Sequence, residues 1–350
     1  MKNYKTFSIS FISILKFFLV ILGLYFLYLI KDVLALIFVS LIFASAIDTW
    51  VDYLQNKKIP RGVSVLIIYL VAIAVVGSAV ILIIPPIAEQ ISELADQVPQ
   101  YFNRVNEAFS FVQDYASRFG FEQSQDNAGA ISSGLTSAVG GIFSTIANIF
   151  GGLLSFLLIL VITFYMTVEE DAIKRTTRSV VPAKYQDFSV QLINKIQKKI
   201  GSWLKGQLIL SLIIGILSYF GLLILGVKYA LVLALIAAIG EFIPYIGPVI
   251  SAIPAIFLAF VQSPIKALFV LILFVIIQQL ENHLLVPKIM QKAVGLNPII
   301  SVVALLIGAK VGGVLGAVLA IPVATAISIV IKELFEEKES LGKLQAKPNS

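Results

Sequence analysis

Hydrogen-bonding and ionisable side chains gather at two places in the last third of this otherwise apolar chain. Glu241 stands inside a long apolar stretch, and the second group ends the next apolar stretch with Gln278, Gln279, Glu281, Asn282 and His283. Ionisable groups at membrane depth usually belong to a solute or ion path. We therefore predict that Glu281 and Glu241 bind a cation or carry a proton. The alternative is that both groups lie at the membrane interface and only reach the lipid headgroups.

The chain beside Glu241 cannot continue as a regular helix. Pro244 and Pro248 each remove a backbone donor and clash with the preceding turn, and Gly247 lies between them. Broken helices persist at membrane depth only where the freed carbonyls face protein or a watery cavity. The break therefore predicts two segments whose loose carbonyls help to hold a solute.

A short segment that begins with proline occurs twice in the last third of the chain. Residues 248–253 (PVISAI) are echoed by residues 298–303 (PIISVV), and paired proline-interrupted segments are typical of a transporter's binding site. In so short and apolar a sequence, chance remains a rival explanation, and Pro298 is included in the predicted path on this basis.

Glycines recur beyond this point at the spacing of one helical turn. They are Gly308, Gly312 and Gly316, with Gly313 beside them. Small residues at this spacing let two backbones approach closely, which favours helix packing over substrate contact. Lys310 lies within this stretch, and it either pairs with one of the two glutamates or marks the tip of a hairpin.

Composition places these groups in a membrane. Only 13% of the 350 residues are charged, against about a quarter in soluble domains, while 59% are apolar and the mean hydropathy is +0.96. These values exclude a soluble domain and a disordered chain. There is no cysteine and there is one histidine, so we expect no metal site and no cofactor.

Apolar stretches long enough to approach the roughly 20 residues of a membrane crossing predict an all-α polytopic bundle. They lie at 9–30, 33–47, 62–86, 142–168, 206–227, 229–262, 265–281 and 299–331. The sixth contains Pro and Gly breaks and is interpreted as two segments, and the last is interpreted as a hairpin of two short helices broken around residues 310–313. We therefore predict about eight to ten membrane segments, some of them broken or re-entrant.

Charge in the connecting segments sets the orientation. Residues 87–141 carry two basic and seven acidic side chains, whereas residues 169–205 carry eight basic ones. The positive-inside rule therefore places both termini in the cytoplasm. The predicted parts are three spans at 1–86, an extracytoplasmic amphipathic helical loop at 87–141, a span at 142–168, a cytoplasmic basic loop with an amphipathic helix at 169–205, a C-terminal core at 206–331 and a charged tail at 332–350.

Both long loops contain helical patterns with two interpretations. An apolar stripe from Ile87 to Tyr115 follows the coiled-coil period, which favours either self-association or packing on a neighbouring helix at 131–150. In the inner loop, Leu192, Ile196, Ile200 and Trp203 share a helix face beside several lysines. That face predicts a helix on the inner leaflet or an ordinary solvated helix.

The motifs of the common enzyme classes are absent from the sequence. It has no phosphate-binding G-x-x-x-x-G-K-[ST] loop, no H-E-x-x-H zinc motif and no G-x-S-x-G nucleophile turn. We therefore expect neither an enzyme nor an ATP-driven pump. The basic residues are scattered along the chain, which argues against nucleic acid as a partner.

Several ordered motifs resemble the autoinducer-2 exporter (AI-2E) family of bacterial membrane proteins. The motifs are Gly206-Gln207, residues 243–248 (IPYIGP), Glu281-Asn282 followed by residues 287–289 (PKI), residues 294–298 (VGLNP), the glycines at 308, 313 and 316, and Ile321-Pro322. The resemblance implies about eight spans in the bacterial cytoplasmic membrane and a homo-oligomer. It also adds Gln207 and Asn297 to the predicted path. Glu241 and His283 lie outside the shared pattern.

The prediction for function combines the reasoning from individual residues with the family resemblance. We expect a transporter that moves a small hydrophilic solute, such as the autoinducer-2 signal, or exchanges Na⁺ or Li⁺ for protons, with Na⁺ or H⁺ and the lipid bilayer as partners. One alternative is an oligomeric channel for solutes without a coupled ion. Another is a membrane scaffold that acts through its outer helical arm.

Overall fold

The computed structural model describes residues 11–75, 153–290 and 295–345, together with scattered residues between 77 and 93. Within these residues all regular structure is helical, and four helices are long and apolar enough to cross a membrane. They are Lys31–Asn56, Ala183–Ile224, Pro264–Met290 and Pro298–Phe335. The predicted all-helical membrane fold is thus confirmed, while the number of crossings remains a prediction. The outer loop at 87–141 lies almost entirely outside the described residues.

The N-terminal half contributes four apolar helices. They are α1 (Phe11–Leu29), α2 (Lys31–Asn56), α3 (Arg61–Val75) and α4 (Leu153–Val168). Side-chain hydroxyls join α4 to its neighbours: Thr163 Oγ1 donates to the Ser40 carbonyl at 3.3 Å, and the Tyr69 hydroxyl donates to the Leu160 carbonyl at 2.9 Å. Helices α2, α3 and α4 therefore form one packed group.

Arg61 fixes one end of this group. Its guanidinium pairs with Asp48 and with Asp52 (3.0 Å) near the end of α2, and its Nε donates to the Thr167 carbonyl at the end of α4 (2.7 Å). The Arg61 side chain is only 12% exposed. Because one cation holds groups from three helices, the end of α2, the start of α3 and the end of α4 lie at the same level.

The centre of the molecule is a single long helix. After α5 (Glu170–Val180) and a short 3₁₀ turn, α6 runs from Gln186 to Ile224, which is 39 residues or ~58 Å. It continues unbroken across residue 205, so the basic amphipathic segment and the following apolar span form one helix. Ile200 and Trp203 are buried against α2 and the last helix, so this part of the predicted amphipathic face packs on protein.

The next segments form a hairpin and a return helix. Helix α7 (Ala230–Gly240) has 11 residues, or ~16 Å, which is too short to cross roughly 30 Å of hydrocarbon. Helix α8 (Ile246–Gln262) runs back beside it, and α9 (Pro264–Leu280) follows. Leu233, Leu258 and Val270 bring the three helices into one core with the end of α6. The predicted break is confirmed at residues 241–245.

A π-helical turn then leads from α9 into a short helix. The turn covers Glu281–Leu285, and α10 covers Val286–Met290. These pieces continue α9 without interruption, so Pro264–Met290 forms one candidate span of 27 residues.

The last helix, α11 (Pro298–Gln345), is folded back on itself. Gly313 has φ 60° and ψ −140° inside it, a conformation that few residues other than glycine adopt. A Cβ built on Gly308 would overlap the Gly316 carbonyl, so the two arms touch across the kink. The predicted hairpin is confirmed, with Lys310 exposed near its tip. Near the other end, Glu333 pairs with Lys195 of α6 at 2.6 Å.

Candidate ion and solute site

The tip of the α7–α8 hairpin is a compact turn whose backbone groups are already bonded. The amides of Ile243, Ile246 and Gly247 donate to the carbonyls of Gly240 (2.9 Å), Pro244 (2.8 Å) and Ile243 (2.8 Å) respectively. A Cβ on Gly247 would overlap the Gly240 carbonyl, so only glycine allows this approach. These three carbonyls each accept a bond inside the turn, and the expectation that carbonyls of this break hold a solute remains a prediction.

Two side chains of α6 donate to further carbonyls at the end of α7. Gln207 Nε2 donates to the Glu241 carbonyl at 2.6 Å, and Ser211 Oγ donates to the Ala238 carbonyl at 2.6 Å. Gln207 is 1% exposed. Its amide therefore anchors the hairpin tip to the central helix, and this contact gives Gln207 a positioning role at the site.

Replacing Gln207 with Leu is expected to destabilise the protein by ~1–3 kcal/mol, because the buried Glu241 carbonyl loses its donor. The thermal midpoint of the detergent-purified protein measures this cost. Gln279→Leu is the matched control, since that side chain is exposed. Equal midpoints for the two variants would contradict the anchoring role.

The hairpin tip and the π-helical turn each bring one carboxyl group into the same buried region. Glu241 is 3% exposed and Glu281 is 6% exposed, and they are close enough for their charges to interact. Gln278 Nε2 donates to Glu281 Oε2 at 3.3 Å. Among the described residues, Glu241 Oε2 has no hydrogen-bond partner. The predicted residues Gln207, Glu241, Gln278 and Glu281 thus lie around one site.

The π-helical turn explains how Glu281 reaches this position. A π turn inserts an extra residue per turn and is frequent at functional sites. It places Glu281 inside, while Asn282 and His283 are exposed and His283 Nδ1 lies 3.1 Å from the Gln279 carbonyl. The helix beyond the turn packs closely on α6, because a Cβ on Gly206 would meet Met290 Sδ at 2.7 Å.

Neither carboxyl group has an ion-pair partner among the residues that the structure describes. An isolated buried carboxylate is costly, so two neighbouring ones require a proton or a bound cation. The described residues contain no group of three or more His, Cys, Asp or Glu side chains that could hold a metal ion. Two neighbouring carboxyl groups can share a proton or a bound cation.

Other predicted residues have different surroundings. Pro244 is half-buried at the hairpin tip, and Gly247 and Pro248 are buried in the first turn of α8. Asn297 is exposed and caps α11, since its Oδ1 accepts from the Ile299 amide at 2.9 Å, and Pro298 follows as the first helical residue. Asn282, Asn297 and Pro298 lie outside the buried carboxyl region, and their part in the path remains a prediction.

Sequence reasoning missed the polar face of α6. Ser211 and Ser218 follow Gln207 at intervals of four and seven residues, which puts all three on one side of the helix facing α7. Ser218 is fully buried, and its Oγ has no partner among the described residues. The helical spacing of these polar residues within an apolar span was the signal that could have revealed this face.

Comparisons with known proteins identify a family of transporters. A family model described as the AI-2E family transporter matches residues 17–336. YueF of Bacillus subtilis (strain 168), whose name marks it as a candidate transport protein, is 32% identical over 287 residues, covering 78% of this chain and 77% of YueF.

Two more distant relatives have names that specify what they move. The sodium-lithium/proton antiporter of Halobacillus andaensis is 24% identical over 315 residues, covering 85% of this chain and 89% of the antiporter. The AI-2 transport protein TqsA of Escherichia coli (strain K12) is 23% identical over 307 residues, covering 84% of each chain.

Proposed function

The chain belongs to the AI-2E family of transporters, and from this membership we propose that it drives a small hydrophilic solute or an alkali cation across the membrane by proton or cation coupling. The observation that carries the proposal is the pair of buried carboxyls, Glu241 and Glu281, which have no ion-pair partner among the described residues. One proton or cation shared by this pair is the coupling ion.

Two substrate classes are compatible with this mechanism. The names of the relatives refer to an AI-2 signal molecule in one case and to exchange of sodium or lithium for protons in the other. The sequence carries no nucleotide-binding loop, so an ion gradient supplies the driving force. Glu241 and Glu281 provide the acidic groups for a cation, with Gln278 bonded to Glu281, and the solute binds beside them.

The proposed location is the bacterial cytoplasmic membrane with both termini inside. The basic residues of 169–205 lie on α5, α6 and the turn between them, and the positive-inside rule assigns that end to the cytoplasm. Arg61 and Lys195 support this assignment, because they bring the ends of α2 and α4 and the later part of α11 to the same side. Helix α9 has 17 residues, or ~25 Å, so Glu281 lies in the inner half of the bilayer.

The proposed assembly is a homo-oligomer. Apolar side chains are exposed along α1, including Phe17, Phe18 and Leu22, and such a face is typical of contact with lipid or with another copy of the chain.

Flux through the purified full-length protein in liposomes tests the transport function. We expect saturable movement of at least one member of a panel containing Na⁺, Li⁺ and an autoinducer-2-like furanosyl solute, and we expect this movement to respond to an imposed proton or sodium gradient. Single-channel conductance steps without such a response would instead indicate a channel. No flux of any panel member under either gradient would contradict the proposal.

A further inference from the structure

A polar cavity of about 340 Å³ lies on the proposed cytoplasmic side, away from the carboxyl pair. Helices α2 and α6 form its main walls, and its rim includes Arg61 and Lys174. Its volume falls within the roughly 300–1,000 Å³ of small-ligand sites. Nothing in the transport mechanism uses this cavity.

Its walls are faces of two helices that carry polar residues at helical spacing. Asn194, Lys198 and Lys205 lie on one side of α6, and Ser45 and Asp48 lie on the facing side of α2. The two helices touch where a Cβ on Gly201 would overlap the carbonyl of Ser45, a residue that lines the cavity. Glycine at this crossing brings both polar walls close together.

The charge in this cavity is positive. Four basic and two acidic side chains line it, which leaves two positive charges in excess. Both acidic groups, Asp48 and Asp52, already pair with Arg61. The Lys198 ammonium group has no hydrogen-bond or ion-pair partner among the described residues, and Lys205 Nζ donates to Thr49 Oγ1 at 2.6 Å. The Lys198 ammonium group therefore faces a space whose carboxylates already pair with Arg61, while Asp48 also interacts with the charge of Lys205.

A second observation concerns the wall opposite the lysines. Ser45 Oγ is buried and has no hydrogen-bond partner among the residues that the structure describes. A buried hydroxyl without a partner is costly, and an acceptor in the cavity would satisfy it. The Asn194 and Gln197 side chains on the same lining add amide donors.

We propose that this cavity binds a phosphate group, held by Lys198 and Lys205 with the Ser45 hydroxyl as a further donor. Lysine ammonium groups bind phosphate as point charges, and basic pockets between helices on the cytoplasmic side suit anionic headgroups. The phosphate belongs either to an anionic lipid of the inner leaflet or to a free phosphate anion in the cytoplasm. The proposal is independent of the transported solute.

Two binding measurements on the full-length protein separate these sources. The first is equilibrium dialysis of the protein in neutral maltoside detergent against radiolabelled inorganic phosphate. The second is the thermal midpoint of the protein in phosphatidylcholine nanodiscs with increasing phosphatidylglycerol. We expect the double variant Lys198→Gln/Lys205→Gln to bind the phosphate group about tenfold more weakly in whichever of the two measurements detects binding. The matched control is Lys184→Gln/Lys288→Gln, which removes two lysines outside the cavity.

Each outcome decides the proposal. Phosphate binding in detergent that the cavity variant loses supports a site for free phosphate. Stabilisation by phosphatidylglycerol alone, lost in the cavity variant and kept in the control, supports a headgroup site. An equal response of both double variants, or no response to either probe, overturns the proposal. Lys198→Gln alone, at an exposed side chain, provides a second variant if the double one misfolds.

Discussion

Glu281→Gln is expected to lower gradient-driven flux in proteoliposomes by at least about tenfold while leaving the protein folded. Glu281 is 6% exposed and has no ion-pair partner among the described residues, so its carboxyl requires a proton or cation. Glutamine keeps the shape and the capacity to bond with Gln278 but cannot bind or release the coupling ion. The measurement is the initial rate of uptake under an imposed proton or sodium gradient.

Glu169→Gln is the matched control for this substitution. Glu169 is exposed between α4 and α5, so its loss removes the same charge without touching the buried pair. An unchanged rate and an unchanged response to the gradient in Glu281→Gln would rule out the coupling role. Reduced rates in both variants would point to a general charge effect instead.

Substitution of Glu241 tests whether the two carboxyl groups act together. If Glu241 and Glu281 share one coupling ion, Glu241→Gln and the double variant should each reduce flux about as much as Glu281→Gln alone, because residues that act as a unit are not additive. Multiplied losses in the double variant would mean that the two carboxyls act independently.

The hairpins could be predicted from the sequence because local chemistry determines them. Pro244 and Gly247 interrupt one apolar run, and Gly313 interrupts another, so both breaks are visible without tertiary information. Glu241 and Glu281 were also identifiable, since ionisable residues are rare in such runs. Their proximity was not, because 40 residues of outgoing and returning helix separate them.

The remaining features depend on packing or on hydrogen bonds. Asn297 was predicted to line the path, which remains a prediction, and its Oδ1 accepts from the Ile299 amide at the start of α11. Sequence alone does not separate a capping asparagine from a ligand-binding one. The π-helical turn at Glu281 has no local sequence signal, and the polar cavity between α2 and α6 depends on packing, since Gly201 lets the two helices approach closely.

The glycine repeat of α11 also could not be resolved from the sequence alone, and it yields a second expected change in stability. Spacing alone makes Gly308, Gly312 and Gly316 equivalent, but only the first and last touch across the kink, while a Cβ on Gly312 would meet nothing within 4 Å. Gly308→Ala should therefore destabilise the protein by ~1–3 kcal/mol, because its methyl group would push the two arms of the hairpin apart.

Gly312→Ala is the built-in control, since it adds the same methyl group one helical turn away. Alanine has a higher helix propensity than glycine by about 1 kcal/mol, so this variant should be neutral or slightly more stable. The thermal midpoints of both detergent-purified variants measure the difference, and Gly308→Ala should lie below Gly312→Ala by on the order of 5 °C. Equal midpoints would contradict the close contact between the hairpin arms, because that contact is what distinguishes the two positions.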